Sequence, residues 1–226
     1  MTSIAENLQA VQQRIVRAAD AAGRSSEGVK LIAVSKAKPP EAIREAYAAG
    51  QRSFGESYAQ EIEAKAERLA DLPGIEWHFI GHLQSNKAKT IAPLAHLVHT
   101  VDSRSLAREL ARRVTRANRS VLRVLIEVNV AREPQKHGVS PGDLEELMQA
   151  VGAEPALDLR GLMTVPPAHD LDVAKRAFET LATLRSLHGG AVRRPELSIG
   201  MSHDLEVAVA CGATLVRIGS AIFGPR

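Results

Sequence analysis

Three features of this 226-residue chain could carry chemistry. The first is Lys36, a cation that ends the apolar run LIAVS (31–35). A lysine among groups at a strand end can lose its proton through desolvation and neighbouring cations, and the free amine attacks aldehydes. A surface lysine just past a strand has the same local sequence, and Lys38, two residues on, fits that plainer description better. The second feature is a pair of turns, Gly200-Met201-Ser202 and Gly219-Ser220, each opening a helical segment. Helix starts whose backbone a ligand can approach bind phosphate, although helix capping accounts for each serine taken singly. The third is polar side chains inside apolar strands: Arg217 in VRIGS and His78 in WHFI. Buried arginine is rare unless paired, so Arg217 needs a carboxylate or the ring nitrogen of a bound pyridine beside it. His78 is either a packed core histidine or a flat ring able to stack on a planar cofactor. His78 and His82 are four apart, but on a strand that spacing does not aim both at one ion, and the glutamate of an HExxH motif is missing. No metal is expected.

The elements that must position these residues follow a steady rhythm. Residues 2–23 read as an amphipathic helix, with Ile4, Leu8, Val11, Ile15, Ala18 and Ala22 on one face and a Ser3/Glu6 capping box. Short apolar runs then recur at 31–35, 52–56, 75–81, 96–101, 121–130, 157–165, 196–201 and 214–220. Between them lie helical stretches at 39–50, 57–70, 85–92, 103–117, 140–152, 170–188 and 203–211, the last with Ser202 at or beside its cap. Apolar strands without strict alternation suit a parallel sheet covered by helices, and eight units favour closure into a barrel over an open doubly wound sheet. The expectation is α/β: a single (β/α)8 TIM-type barrel over residues 1–226 with an extra N-terminal helix. In such a barrel the active end is the C-terminal end of the strands, with phosphate held after strands 7 and 8. That end carries Lys36, Glu56-Ser57, His82, Asp102, Glu127, Asn129, Met163-Thr164, Ser202 and Ser220.

Composition narrows the function classes. The net charge of +3, with both signs interspersed, and only seven aromatic residues argue against a nucleic-acid partner. A phosphorylated small molecule suits the modest charge better. Cys211 is the only cysteine, which excludes an intrachain disulfide and zinc-binding cysteine spacing and fits a reducing, cytoplasmic setting. The N-terminus has no signal-peptide pattern, and no apolar stretch is long enough to span a membrane, so no membrane partner is expected.

Taken in order, LIAVSKAKP (31–39), FGESYAQE (54–61), IEWHFIGHLQSNK (75–87), HTVDS (99–103), KHG (136–138), RGLMTVP (160–166), LSIGMSHDLEVAVACGAT (197–214) and VRIGSAIFG (216–224) resemble the pyridoxal phosphate homeostasis proteins, the YggS/PROSC-like family. That family is similar in turn to the barrel domain of alanine racemase and other fold-type III enzymes. The resemblance runs from about residue 4 to 226. It implies pyridoxal 5′-phosphate as cofactor, held as a Schiff base on Lys36, with Arg217 facing the pyridine nitrogen. Ser202, Gly219 and Ser220, with the Met201 amide, stand at the phosphate cup; His78 and Ser198 stand near the ring and pocket wall, and Met163 beside the pocket. Where the family more often has Gly-Glu-Asn this chain has Gly55-Glu56-Ser57, so an asparagine contact to the cofactor is shortened or lost at Ser57; Ser220 keeps the hydroxyl of the usual threonine.

An arginine at the pyridine nitrogen disfavours its protonation and makes the cofactor a poorer electron sink. The resembling racemases share that arrangement but add a β-rich domain bearing a catalytic acid/base. The sequence ends at Arg226, just after strand 8, which leads to the expectation of no such domain. The expected role is non-enzymatic: binding, buffering and supplying pyridoxal phosphate, with pyridoxal-phosphate-dependent apoenzymes as partners. The alternative is a small pyridoxal-phosphate-dependent amino-acid racemase or lyase, and a third reading is a phosphosugar barrel enzyme, which shares the phosphate cup but gives Lys36 and Arg217 no joint role.

Overall fold

The computed structural model describes residues 3–133, 135–167 and 170–225. Eight parallel strands close in sequence order into a barrel: β1 (Lys30–Val34), β2 (Ser53–Glu56), β3 (Glu76–Phe79), β4 (Leu97–Val101), β5 (Leu122–Glu127), β6 (Leu157–Met163), β7 (Glu196–Ser198) and β8 (Leu215–Ile218). β8 pairs with β1 to complete the ring, with Ile32 opposite Arg217. Helices follow each strand on the outside: α2 (Pro40–Ala48), α3 (Ala59–Arg68), α4 (Ala88–Leu94), α5 (Arg104–Arg116), α6 (Leu144–Gly152), α7 (Leu171–Leu187), α8 (Gly190–Arg193), α9 (Leu205–Ala210) and the short α10 (Ser220–Phe223), all preceded by α1 (Ile4–Ala21). The expected helical residue 2 and the C-terminal Arg226 lie outside the described residues.

α1 forms where the pattern places it, its capping box closed by Glu6 N–H donating to Ser3 Oγ and Ser3 N–H to Glu6 Oε2. It does not sit under the barrel floor. Leu8, Val11, Ile15, Ala18 and Ala19 bury one face, and α1 packs against α9, α10 and α2. α10 is a single turn, too short to cover β8 and β1; α1 fills that place in the helical ring. Arg14 fastens it with an ion pair to Glu206 at 2.8 Å and a bond to the Ser202 carbonyl at 3.1 Å, and Arg24 donates to the carbonyls of Val209 and Ala213.

The interior is layered. Residues two apart on a strand face the same way, so Leu97 and His99, Leu125 and Glu127, and Leu215 and Arg217 form stacked pairs. The lower members join Ile32 and Met163 in a buried apolar cluster inside the barrel. The upper members make a polar layer between that floor and the C-terminal mouth. Several boundaries depart from the sequence pattern: α6 starts at Leu144 rather than 140, and β7 ends at Ser198 rather than 201. β5 stops at Glu127 rather than residue 130: Val128 N–H still donates to the Met163 carbonyl, but Val128 turns to an isolated bridge with Val139 and the Asn129 side chain bonds the carbonyls of Glu133 and Lys136. α9 starts at Leu205, not 203, and Ser202 lies in the preceding turn rather than at the cap.

Candidate functional site

At the C-terminal mouth a cavity of about 420 Å³ opens among the loops after β1, β2, β6, β7 and β8. Lys36, Ser57, Met201, Ser202, Arg217, Gly219 and Ser220 all line it, together with an apolar wall from Val165, Pro167 and Leu171. His78, Ser198 and Met163 lie beneath the cavity instead of on its wall, with exposures of 1%, 0% and 1%. The reason is register: Ser198 pairs with Met163 and Leu215, which places it level with the interior layers.

The turn that presents Lys36 is anchored on both sides. Lys38 N–H donates to the Ser35 carbonyl at 3.0 Å, and Ala37 adopts the left-handed φ of 58°, which costs a non-glycine residue roughly 1–2 kcal/mol. Ala37 N–H donates to Glu61 Oε2 at 2.8 Å. Ser35 Oγ donates to the buried Glu56 at 2.6 Å, and Lys65 Nζ reaches Glu56, Glu61 and the Ser35 carbonyl, each at 2.8 Å. Burial pushes the Glu56 carboxyl up, against the pull of Lys65 and Ser35. Lys38 caps the end of α10 through the carbonyls of Phe223 and Pro225. Both neighbouring lysines line the cavity, and Lys38 is engaged with the carbonyls of its rim.

Ser202 and Ser220 converge as their positions implied: their hydroxyls are 3.3 Å apart, brought together from the loops after β7 and β8. Gly219 packs closely on β1, and a Cβ there would stand 3.2 Å from the Val34 carbonyl oxygen. The Met201 amide, expected to serve an anion, is instead taken by Asp204 Oδ1 at 2.6 Å. Asp204 is at the α9 N-cap without a side-chain cap bond, which is how the sequence pattern misplaced that helix start.

Arg217 is 4% exposed and lies between the cavity and the floor. Its guanidinium donates to Ser198 O at 2.7 Å, Ser198 Oγ at 2.6 Å and the Thr164 carbonyl at 3.0 Å. All three acceptors are neutral, so a buried cation is held by dipoles. Burial lowers it to about 10, still protonated at neutral pH. Beyond Ser198 a polar chain crosses the barrel: Ser198 Oγ is 2.8 Å from His99 Nδ1, and His99 Nε2 is 2.9 Å from His78 Nδ1. His78 Nε2 has no hydrogen-bond partner among the described residues and faces Glu76 Oε2 at 3.9 Å. Burial pushes His78 down to about 4 and His99 well below its ordinary value, so both rings are neutral. His78, with Ser53 and Lys30, holds Glu76 far below the usual carboxylate range, so it is an anion.

These charges set the order of protons. Arginine only donates, so Ser198 Oγ accepts from Arg217 and passes its own proton to His99 Nδ1. His99 then carries its proton on Nε2 and donates to His78 Nδ1, and the His78 Nε2 proton points at Glu76. The reverse order would aim a bare nitrogen lone pair at a carboxylate. His99 was not among the residues singled out from the sequence; the signal was the same one that marked His78, a histidine inside an apolar run. Glu127 borders the same layer, and burial, reinforced by Asp102, pushes it up to about 7.

The arrangement offers an amine, an anion cup, a buried cation level with the cavity floor and an apolar side wall. Residues 6–226 match the family described as alanine racemase, N-terminal domain. The pyridoxal phosphate homeostasis protein of Pseudomonas aeruginosa is 48% identical, the alignment covering 100% of this chain and 97% of that protein. Its namesake in Escherichia coli strain K12 is 44% identical over 100% and 98%. PipY of Synechococcus elongatus, solved with PLP bound, superposes with a TM-score of 0.85 at 36% identity, covering 98% of this chain and 100% of that one.

Proposed function

Because the chain belongs to the alanine racemase N-terminal domain family, and within it to the pyridoxal phosphate homeostasis proteins, we propose that it binds pyridoxal 5′-phosphate on Lys36 and holds it for intracellular supply without turning over a substrate. The cofactor supplies an aldehyde that an amine takes up with loss of one water, and a phosphate that anchors it. Lys36 Nζ is the amine. Ser202, Gly219 and Ser220 cradle the phosphate, and Arg14 steadies that cup from α1 through the Ser202 carbonyl. Arg217 faces the ring nitrogen. Its neutral chain of Ser198, His99 and His78 keeps it a fixed donor, because no member has a proton to offer that nitrogen in exchange. His78 acts through this chain, not by stacking, and Met163 packs under it. Ser57 is a wall contact.

The observation that carries this reading is the convergence of Lys36, Arg217 and the Ser202/Ser220 pair on one cavity. Holding is favoured over turnover by the placement of tyrosine; the cationic partner at the ring nitrogen weakens the electron sink without forbidding turnover, since the resembling racemases share it. Tyr58 is 59% exposed at the α3 N-cap and is not on the cavity wall, so it does not furnish the acid/base that a racemase or lyase needs opposite the lysine. Among the described residues no helix is long and apolar enough to cross a membrane. We place the protein in the cytoplasm, with apoenzymes as recipients and the whole chain, 1–226, as one binding unit.

The test is borohydride reduction of the loaded protein followed by peptide mapping. The label is expected on the peptide holding Lys36. Lys36→Ala is expected to lose the covalent label yet keep weak, phosphate-dependent binding. A label of undiminished yield in that variant would assign the wrong lysine.

A further inference from the structure

Three loops at the mouth of the barrel bring together a second cluster that the cofactor does not use. His82 follows β3, Asp102 follows β4, and His137 stands between β5 and α6. One ligand atom from each lies within 4.8 Å of the others. His82 Nδ1 is 3.4 Å from Asp102 Oδ2, and the His82 and His137 rings stack with centroids 3.6 Å apart and planes 9° apart. Two imidazole nitrogens and a carboxylate oxygen are a donor set suited to zinc and its neighbours. Around a tetrahedral ion with bonds of about 2.0–2.1 Å, donor atoms stand roughly 3.4 Å apart, the His82–Asp102 spacing. The sequence hid this set because its members lie 20 and 35 residues apart on three different loops.

A stacked histidine pair beside one aspartate is also what a solvated surface produces. What separates this cluster from that case is how firmly His137 is delivered. Asn129 binds the carbonyls of Glu133 and Lys136 and accepts from Glu133 N–H. Asn129 N–H and Val139 N–H bond across the base of the loop, to Val139 O at 2.9 Å and Glu127 O at 2.8 Å. Gly138, at a φ of 106°, lets the chain fold back; a Cβ there would stand 2.7 Å from Asn129 N. The loop is therefore closed on itself, and it sets His137 over the ends of β3 and β4.

We propose that His82, Asp102 and His137 form a binding site for a divalent transition-metal ion of the zinc class, which clasps the β5–α6 loop to the rim of the barrel. Three protein donors leave one position for water, the arrangement of an open site. The two rings splay on binding, since each lone pair lies in its own ring plane; both side chains are exposed, so that rotation meets little resistance.

The test is calorimetric titration of the chelator-stripped protein with zinc chloride, together with trypsin digestion at Arg132 and Lys136 with and without the ion. One equivalent of zinc is expected to bind and to slow cleavage at both sites. His82→Ala and His137→Ala are each expected to weaken binding on the order of a hundredfold, with unchanged circular dichroism. Absence of saturable zinc binding, or equal affinity in the doubly substituted protein, overturns the site. Zinc binding that leaves trypsin cleavage unchanged overturns the clasp. Pyridoxal phosphate takes no part in any of these readouts, so their failure is distinct from failure of the Lys36 reading.

Discussion

The buried histidine chain predicts a specific acid sensitivity. A histidine whose folded pKa is depressed binds fewer protons folded than unfolded, so its contribution is present above the unfolded value and is lost as pH falls toward the folded one. For His78 that window runs from 6.5 down to about 4. Linkage over this window gives a loss of about 2 kcal/mol for His78 alone on going from roughly pH 7.5 to pH 5. His99 moves in the same direction. Glu127 and Glu56, both pushed up, act in the opposite sense over this range, so the informative quantity is the difference between proteins. His78→Asn keeps a polar atom where Nδ1 meets His99 and removes the titrating ring. Urea unfolding at both pH values is expected to show the variant losing about 2 kcal/mol less than the parent. Equal losses in the two proteins would refute the placement of a neutral, desolvated ring at position 78.

Two further substitutions test the frame around the site. Lys65→Met leaves Glu56 buried beside an apolar chain and is expected to destabilise by about 3–5 kcal/mol, read from the urea midpoint, with the loss eased at low pH where Glu56 is protonated. Leu8→Ala is expected to cost about 2–4 kcal/mol, because α1 is part of the helical ring; a change within about 0.5 kcal/mol would show α1 to be dispensable packing.

The alternation of strand and helix was legible because parallel strands buried on both faces are apolar runs, and runs such as LIAVS and TLVRIGS have no other use in a globular chain. That Lys36, Ser202, Gly219 and Ser220 lie at the barrel mouth was legible because strand ends are countable from sequence; the choice of Lys36 over Lys38 as the reacting amine came from the family resemblance. The place of α1 was not: a helical period fixes which face is buried, but not against what. Depth within the barrel was equally hidden. His78 and Arg217 both interrupt apolar strands, yet one lies below the cavity and the other borders it, and strand register decides which: His78 stands opposite the floor residue Leu97, whereas Arg217 lies two residues beyond the floor residue Leu215. Met201 failed for a local reason, since nothing in the sequence says that Asp204 will turn back and claim its amide.

The layering also bears on the holding role proposed above. A cation buried against neutral dipoles is costly, and here two of the acceptors that hold Arg217 are carbonyls, while the third, Ser198 Oγ, heads a chain whose protonation order is set by Glu76. Protonating His99 or His78 to reverse that order would put a second positive charge into the same dry layer, which their depressed pKa values oppose. The guanidinium can therefore donate to a ring nitrogen but cannot be relieved of its charge by its neighbours at neutral pH. An unprotonated ring nitrogen withdraws electrons weakly, so, on the function proposed above, the chain that holds Arg217 would temper carbanion chemistry on the cofactor without forbidding it, since the resembling racemases share the arginine.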